Sequence, residues 1–184
     1  MKNLPSRRLF LQKTAIATTG ITLFSSASAL KAFTLDESPF MGYNPYTEEK
    51  TDLRNSSLFG KYISIKGTIY DKKGLVSQPN TTMEVWHLSP NSNKFRHHGK
   101  MKTDSQGSYQ FITNFPNKEE GKASRVYFKV STNETTYFTE LLLNDFGAHI
   151  TGKHWEENNQ LGDKLFPLKE GALDSSTITF NISI

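Results

Sequence analysis

Five histidines are the side chains of this sequence best suited to hold a metal or move a proton: His87, His97, His98, His149 and His154. Their spacing works against a shared ion. His97 and His98 are adjacent, so in a strand they point to opposite faces. His149 and His154 stand five apart, not the three or four that align side chains on a helix. A zinc or copper site rebuilt from these residues competes with the commoner outcome, solvated loop histidines. The chain has no cysteine, which excludes disulfides and thiolate metal sites. A Gly-x-Ser-x-Gly elbow, a glycine-rich phosphate loop and a basic patch interleaved with aromatics are all missing, so nucleic acid is not an expected partner.

The elements that must position such side chains read as strands. From Tyr62 the pattern has period two, with Ile63, Ile65 and Ile69 alternating with polar residues, as a half-buried strand requires. Met83, Val85 and Trp86 mark a second strand, and Tyr109 to Thr113 a third. Val126, Phe128 and Val130 alternate, an apolar run follows from Tyr137 to Leu143, and the sequence ends on alternating Ile178, Phe180, Ile182 and Ile184. Turn chemistry separates them at Asp71-Lys72-Lys73-Gly74 and at Thr103 to Gly107. Six or more strands with no long amphipathic helix predict an all-β sandwich. Residues 30–60 lack periodicity and read as an extended N-terminal arm, whose Phe40, Tyr43, Tyr46 and Phe59 either pack it onto the sandwich or stack on a ligand. Residues 144–172 read as mostly irregular, with a helical turn from Lys153 to Asn159.

The first 29 residues carry an export address. Arg7-Arg8-Leu9-Phe10 with Lys13 matches the twin-arginine pattern, a weakly apolar stretch runs from Thr14 to Phe24, and Ala27-Ser28-Ala29 offers a peptidase site. The expectation is a periplasmic or otherwise exported protein. The 22 basic residues include Lys2, Arg7, Arg8 and Lys13 of this segment, so 22 less four leaves 18 against 18 acids. The exported part, about 155 residues, is formally neutral and large enough for one core. It contains no apolar run of membrane-spanning length.

Several landmarks, in order, resemble the intradiol ring-cleavage dioxygenases, the catechol and protocatechuate dioxygenases. Glu37-Ser38-Pro39-Phe40 is similar to their Glu-Gly-Pro-Phe, and Asp52-Leu53-Arg54 to the Asp-(Leu/Ile)-Arg that follows. Ile65 to Asp71 resembles their Gly-x-Val-x-Asp strand and turn, and Met83-Glu84-Val85-Trp86 their Val-Glu-Val-Trp. Phe95-Arg96-His97 resembles Tyr-Arg-His, and Thr103 to Phe111 matches Thr-Asp-x-x-Gly-x-Tyr-x-Phe. Pro116 to Val130 lies ungapped over Pro-Gly-x-Tyr-x-x-Arg-x-x-His-Ile-His-x-x-Val, and Phe138 to Leu141 resembles Leu-Thr-Thr-Gln-Leu. The resemblance covers residues 37–184 and implies a β-sandwich of the intradiol dioxygenase type over residues 61–184.

It also implies a non-haem Fe(III) held by two tyrosinates and two histidines, with an arginine assisting. The two tyrosine positions fall here at Phe95 and Glu119, the histidines at Arg125 and Tyr127, and the arginine at Lys122. None of the four ligands is in place. Glu119 and Tyr127 could in principle bind iron, and His97 or His98 could slide toward the first position, so these four remain the candidate metal ligands. Arg125 cannot ligate. The expectation is that the fold persists without the iron chemistry, with no cofactor, or Fe(III) if the activity is retained. An ion pair between Glu119 and Arg125 would then replace the lost metal charge. The domain is expected to bind a small aromatic or sugar-like ligand or a partner, and self-association stays open.

Overall fold

A computed structural model describes residues 38–55, 61–172 and 175–184; the export address and Phe59 lie outside the described residues. Among the described residues, ten strands form two sheets. One contains β1 (Tyr62–Tyr70), β4 (Ser108–Asn114), β8 (Leu168–Ala172), β9 (Ser175–Thr179) and β10 (Ile182–Ser183), with β1 at its centre. The other has the order β3-β2-β5-β6-β7, from β3 (Phe95–Lys102), β2 (Thr82–Leu88), β5 (Ser124–Ser131), β6 (Thr136–Leu143) and β7 (Ala148–Ile150). The inward residues of the two sheets form one core, with Ile63, Ile65, Met83, Val85, Phe111, Val126, Phe128, Leu141 and Phe180 all buried. This is the sandwich that the alternation predicts, since period-two burial puts one face of each strand inside.

Two departures have local causes. The C-terminal alternation reads as one strand but is two, because Asn181 interrupts the ladder. Its side-chain oxygen accepts from the Thr68 amide at 3.0 Å, and its amide donates to the Lys164 carbonyl at 2.9 Å. Beside it Gly67 lies against the Phe180 carbonyl, only 1.8 Å from where a Cβ would sit. No residue but glycine allows that approach. The second departure is the segment 144–172, which is more ordered than an irregular excursion. It holds β7, a helix α1 (Gly152–Asn158), a 3₁₀ segment (Asn159–Leu165) and β8. Thr151 caps α1 by accepting from the His154 amide at 3.1 Å, and buried His154 and Asn158 anchor it.

The arm stitches the two sheets. Lys50 donates its amide to the Lys100 carbonyl on β3 at 3.0 Å, and Leu53 to the Ile112 carbonyl on β4 at 2.8 Å. These bonds cover strand edges that would otherwise stay open to other chains. Leu53 then enters the core, 2 % exposed.

Candidate functional site

The outer face of the second sheet carries the positions that the resemblance singles out. On β5 the inward residues are Val126, Phe128 and Val130, so Arg125, Tyr127 and Lys129 face outward. Phe95 joins them through a β-bulge. Leu88 pairs with Phe95 while His87 pairs with His97, which leaves Arg96 without a partner and turns Phe95 away from His97. The Phe95 and Tyr127 rings lie 6.2 Å apart. Glu119, in the loop before β5, accepts from the Tyr127 hydroxyl at 3.1 Å and from the Lys122 ammonium. Phe95, Glu119, Lys122, Arg125 and Tyr127 are thus brought to one patch.

Their pairing differs from the expected Glu119–Arg125 bridge. Arg125 binds Glu140 of β6 at 2.8 Å, and Glu119 binds Lys122. The register explains this. Glu140 stands directly opposite Tyr127, hence diagonal to Arg125 on the same face, whereas Lys122 is three residues from Glu119 in one turn. A second bridge lies beside the first: Lys129 faces Glu84 across the β2–β5 ladder, with nitrogen and oxygen 3.4 Å apart. Neither Glu140 nor Glu84 was singled out as a site residue from sequence. The signal was available in opposite charges at positions whose parity matches Tyr127 and Lys129.

The arm seals this patch. Phe40 packs on Tyr127 with centroids 4.9 Å apart, and Tyr43 packs on Trp86 at 5.2 Å. The Trp86 indole donates to the Met41 carbonyl at 2.9 Å. Gly42 has φ +78°, and a Cβ there would lie 2.2 Å from the Phe95 ring. The Tyr43 hydroxyl donates to Glu84 at 3.1 Å and accepts from Lys129 at 2.8 Å. As a result Trp86 is 1 % exposed and Tyr127 4 %, although both sit on the outside of a sheet. Phe40 and Tyr43 pack the arm onto the sandwich; Tyr46 does not, being 84 % exposed.

These residues do not fit ferric iron. Phe95 has no donor atom, and Arg125 is a fixed cation held by Glu140. A tyrosinate ligand needs an easily lost proton. Burial, followed by the adjoining Glu119 carboxylate, pushes the Tyr127 phenol far above its ordinary value. The hydrogen bond from Lys122 holds the Glu119 carboxyl below its ordinary value, so both oxygens are committed to an ion-pair network. Among the described residues, no group of three or more His, Asp or Glu converges as a metal cage.

Three of the five histidines, His87, His97 and His154, are buried rather than solvated. His97 and His98 do point to opposite faces. His97 turns inward, stacks on His87 at 4.6 Å, and bonds Ser89 and Asn114 at 3.1 and 3.2 Å. His87 bonds the Leu88 carbonyl at 2.7 Å and Thr113 at 2.6 Å. With both rings engaged inside the core, His97 cannot reach the outer patch. His98 does face outward, where its Nε2 donates to the Phe95 carbonyl at 2.9 Å. His154 is buried at Thr139, 2.7 Å away, and His149 is exposed beside Asn144.

Comparison with solved structures places this architecture. The dioxygenase domain of a dioxygenase carbohydrate-binding protein fusion from Streptomyces sp. SirexAA-E superposes with a TM-score of 0.59 at 16 % identity, over 80 % of this chain and 94 % of that one. An intradiol ring-cleavage dioxygenase from Tetranychus urticae gives 0.59 at 12 % identity, over 80 % and 91 %. Chlorocatechol 1,2-dioxygenase from Pseudomonas putida gives 0.56 at 19 % identity, over 77 % and 68 %. The fold is that of the intradiol ring-cleavage dioxygenases. Identities this low speak for the fold and not for an activity. No protein-family model matches the chain, and neither does any curated protein.

Proposed function

We propose that this chain is an exported member of the intradiol dioxygenase lineage that has given up ferric-iron ring cleavage and acts as a metal-free binding or interaction domain. One observation carries the reading: an ion-pair and aromatic network, capped by the chain's own arm, fills the positions where the resemblance puts the iron. Burial of Tyr127 beside a carboxylate favours a protonated phenol, the opposite of a ligand. A small aromatic ligand would enter this patch only by displacing Phe40 from Tyr127.

The test is made on the protein lacking residues 1–29. Elemental analysis is expected to find no stoichiometric iron, the visible spectrum no tyrosinate charge transfer, and an oxygen electrode no uptake on catechol. Stoichiometric iron with catechol-dependent uptake would overturn the reading. It would favour the alternative, an active dioxygenase with an atypical site built on the two oxygen-bearing residues in contact, Glu119 and Tyr127. Export through the twin-arginine route is tested separately, by fractionating cells that carry Arg7→Lys with Arg8→Lys. Loss of the exported pool is expected.

A further inference from the structure

A cavity of about 520 Å³ opens where the β1–β2 loop, the β5–β6 turn and α1 meet. Neither the resemblance nor the sealed patch involves it. Its volume is in the range of small-molecule sites. Its inner wall is prearranged. Asn158, with no exposed surface, donates to the Tyr137 hydroxyl at 2.9 Å and accepts from both the amide and the hydroxyl of Ser183 at 2.7 and 2.9 Å. Gln160 in turn donates to Ser183. Tyr137 and Gln160 are thereby held in place from behind, which lowers the ordering cost of binding.

The groups left free at the mouth are of both kinds. The Lys72 ammonium and the Glu156 carboxylate line the cavity, and neither side chain has a hydrogen-bond or ion-pair partner among the described residues. The Gln160 carbonyl oxygen adds an acceptor. Glu157 also lines it, beside the Tyr137 hydroxyl and 4.0 Å from Lys153. With Lys153 balancing Glu157 and Lys72 balancing Glu156, the rim carries no net charge to select an ion. Together they offer donors and acceptors around a half-buried aromatic ring. A ligand that uses all of them has a hydroxyl rim and an apolar C–H face.

We propose that this cavity binds a small neutral saccharide, with Tyr137 under the ring and Lys72, Glu156 and Gln160 on its hydroxyls. The proposal is independent of the iron question, because none of these residues touches the sealed patch.

Amide NMR titration of the protein lacking residues 1–29 with glucose, N-acetylglucosamine and cellobiose is the test. Saturable shifts are expected at Thr136, Glu156 and Gln160 but not at the Trp86 indole. Lys72→Ala and Glu156→Ala, both at side chains without structural partners, are each expected to weaken binding about tenfold. Lys66→Ala, at a different cavity, is expected to leave it unchanged. The proposal fails if no sugar gives saturable shifts, if both cavity variants bind as the parent does, or if glycine or sulfate binds the same amides more tightly.

Discussion

On one face of β5, Val126, Phe128 and Val130 have no exposed surface; on the other, Arg125, Tyr127 and Lys129 find Glu140, Glu119 and Glu84. The inner face is held by area removed from water, which is non-directional and tolerates any well-shaped apolar neighbour. The outer face is held by pairs, and each pair needs one particular partner at one particular register. The outer face becomes interior here because residues 38–43 of the arm lie on it. The two faces should therefore fail differently.

The inner face should fail hardest. Phe128→Ala removes a ring that meets Phe111 at 6.1 Å and Phe180 at 5.1 Å, and is expected to cost about 3–5 kcal/mol in urea unfolding. A cost below that of any outer-face variant would break the comparison. Acid should act on the same interior. Burial first, then neighbouring His97, lowers the His87 pKa from 6.5 to about 3. Below pH 6.5 the unfolded chain takes up a proton that the folded chain excludes, so stability falls as the pH drops from 6.5 toward 3. The loss is about 1.4 kcal/mol per pH unit, or about 2 kcal/mol by pH 5. His97 and His154, both lowered first by burial, act in the same direction. Urea midpoints at pH 7 and pH 5 check this, and His87→Gln should flatten the slope.

The outer face should respond more gently and less additively. Phe40→Ala is expected to cost about 1–2 kcal/mol and to shift Trp86 fluorescence to the red as water reaches the indole. Arg125→Met leaves Glu140, whose side chain is 14 % exposed, without its partner, and about 1–2 kcal/mol is expected. Arg125→Met with Glu140→Leu should cost less than either change alone, since an apolar pair replaces a partly buried ion pair without loss. Strict additivity in that cycle would show that the two side chains do not act as a pair. Lys122→Ala removes a half-exposed bridge, and should move stability by less than about 0.5 kcal/mol.

The same contrast governs what the amino-acid sequence revealed. The strands β1, β2, β4 and β5 were legible because most of their inward residues are large and apolar at period two, and β6 as an apolar run. The strand β3 was not, since its inward positions are His97, Gly99 and Met101, and a bulge at Arg96 breaks the period. β7 is three residues long, and the terminal strand is split by a side chain, Asn181, acting as a backbone acceptor. The clustering of Glu119, Lys122, Arg125 and Tyr127 followed from the ungapped match, and that of Phe95 from the separate Phe95-Arg96-His97 motif. Their pairing did not, because Glu140 and Glu84 come from other strands and only the register brings them near. The burial of Tyr127 depends on a glycine, Gly42, 85 residues away in sequence.

The stitching of the arm also has a mechanical consequence. Force applied through the residues ahead of Ser38 is carried first by the Phe40, Met41 and Tyr43 contacts, then by Lys50 on β3, and last by Leu53 on β4. The arm is then a clasp that yields in sequence, giving way over the aromatic patch before any load reaches the core. Pulled from that end in an optical trap, the domain should release a short length of chain in a low-force step and rupture as a whole only afterwards.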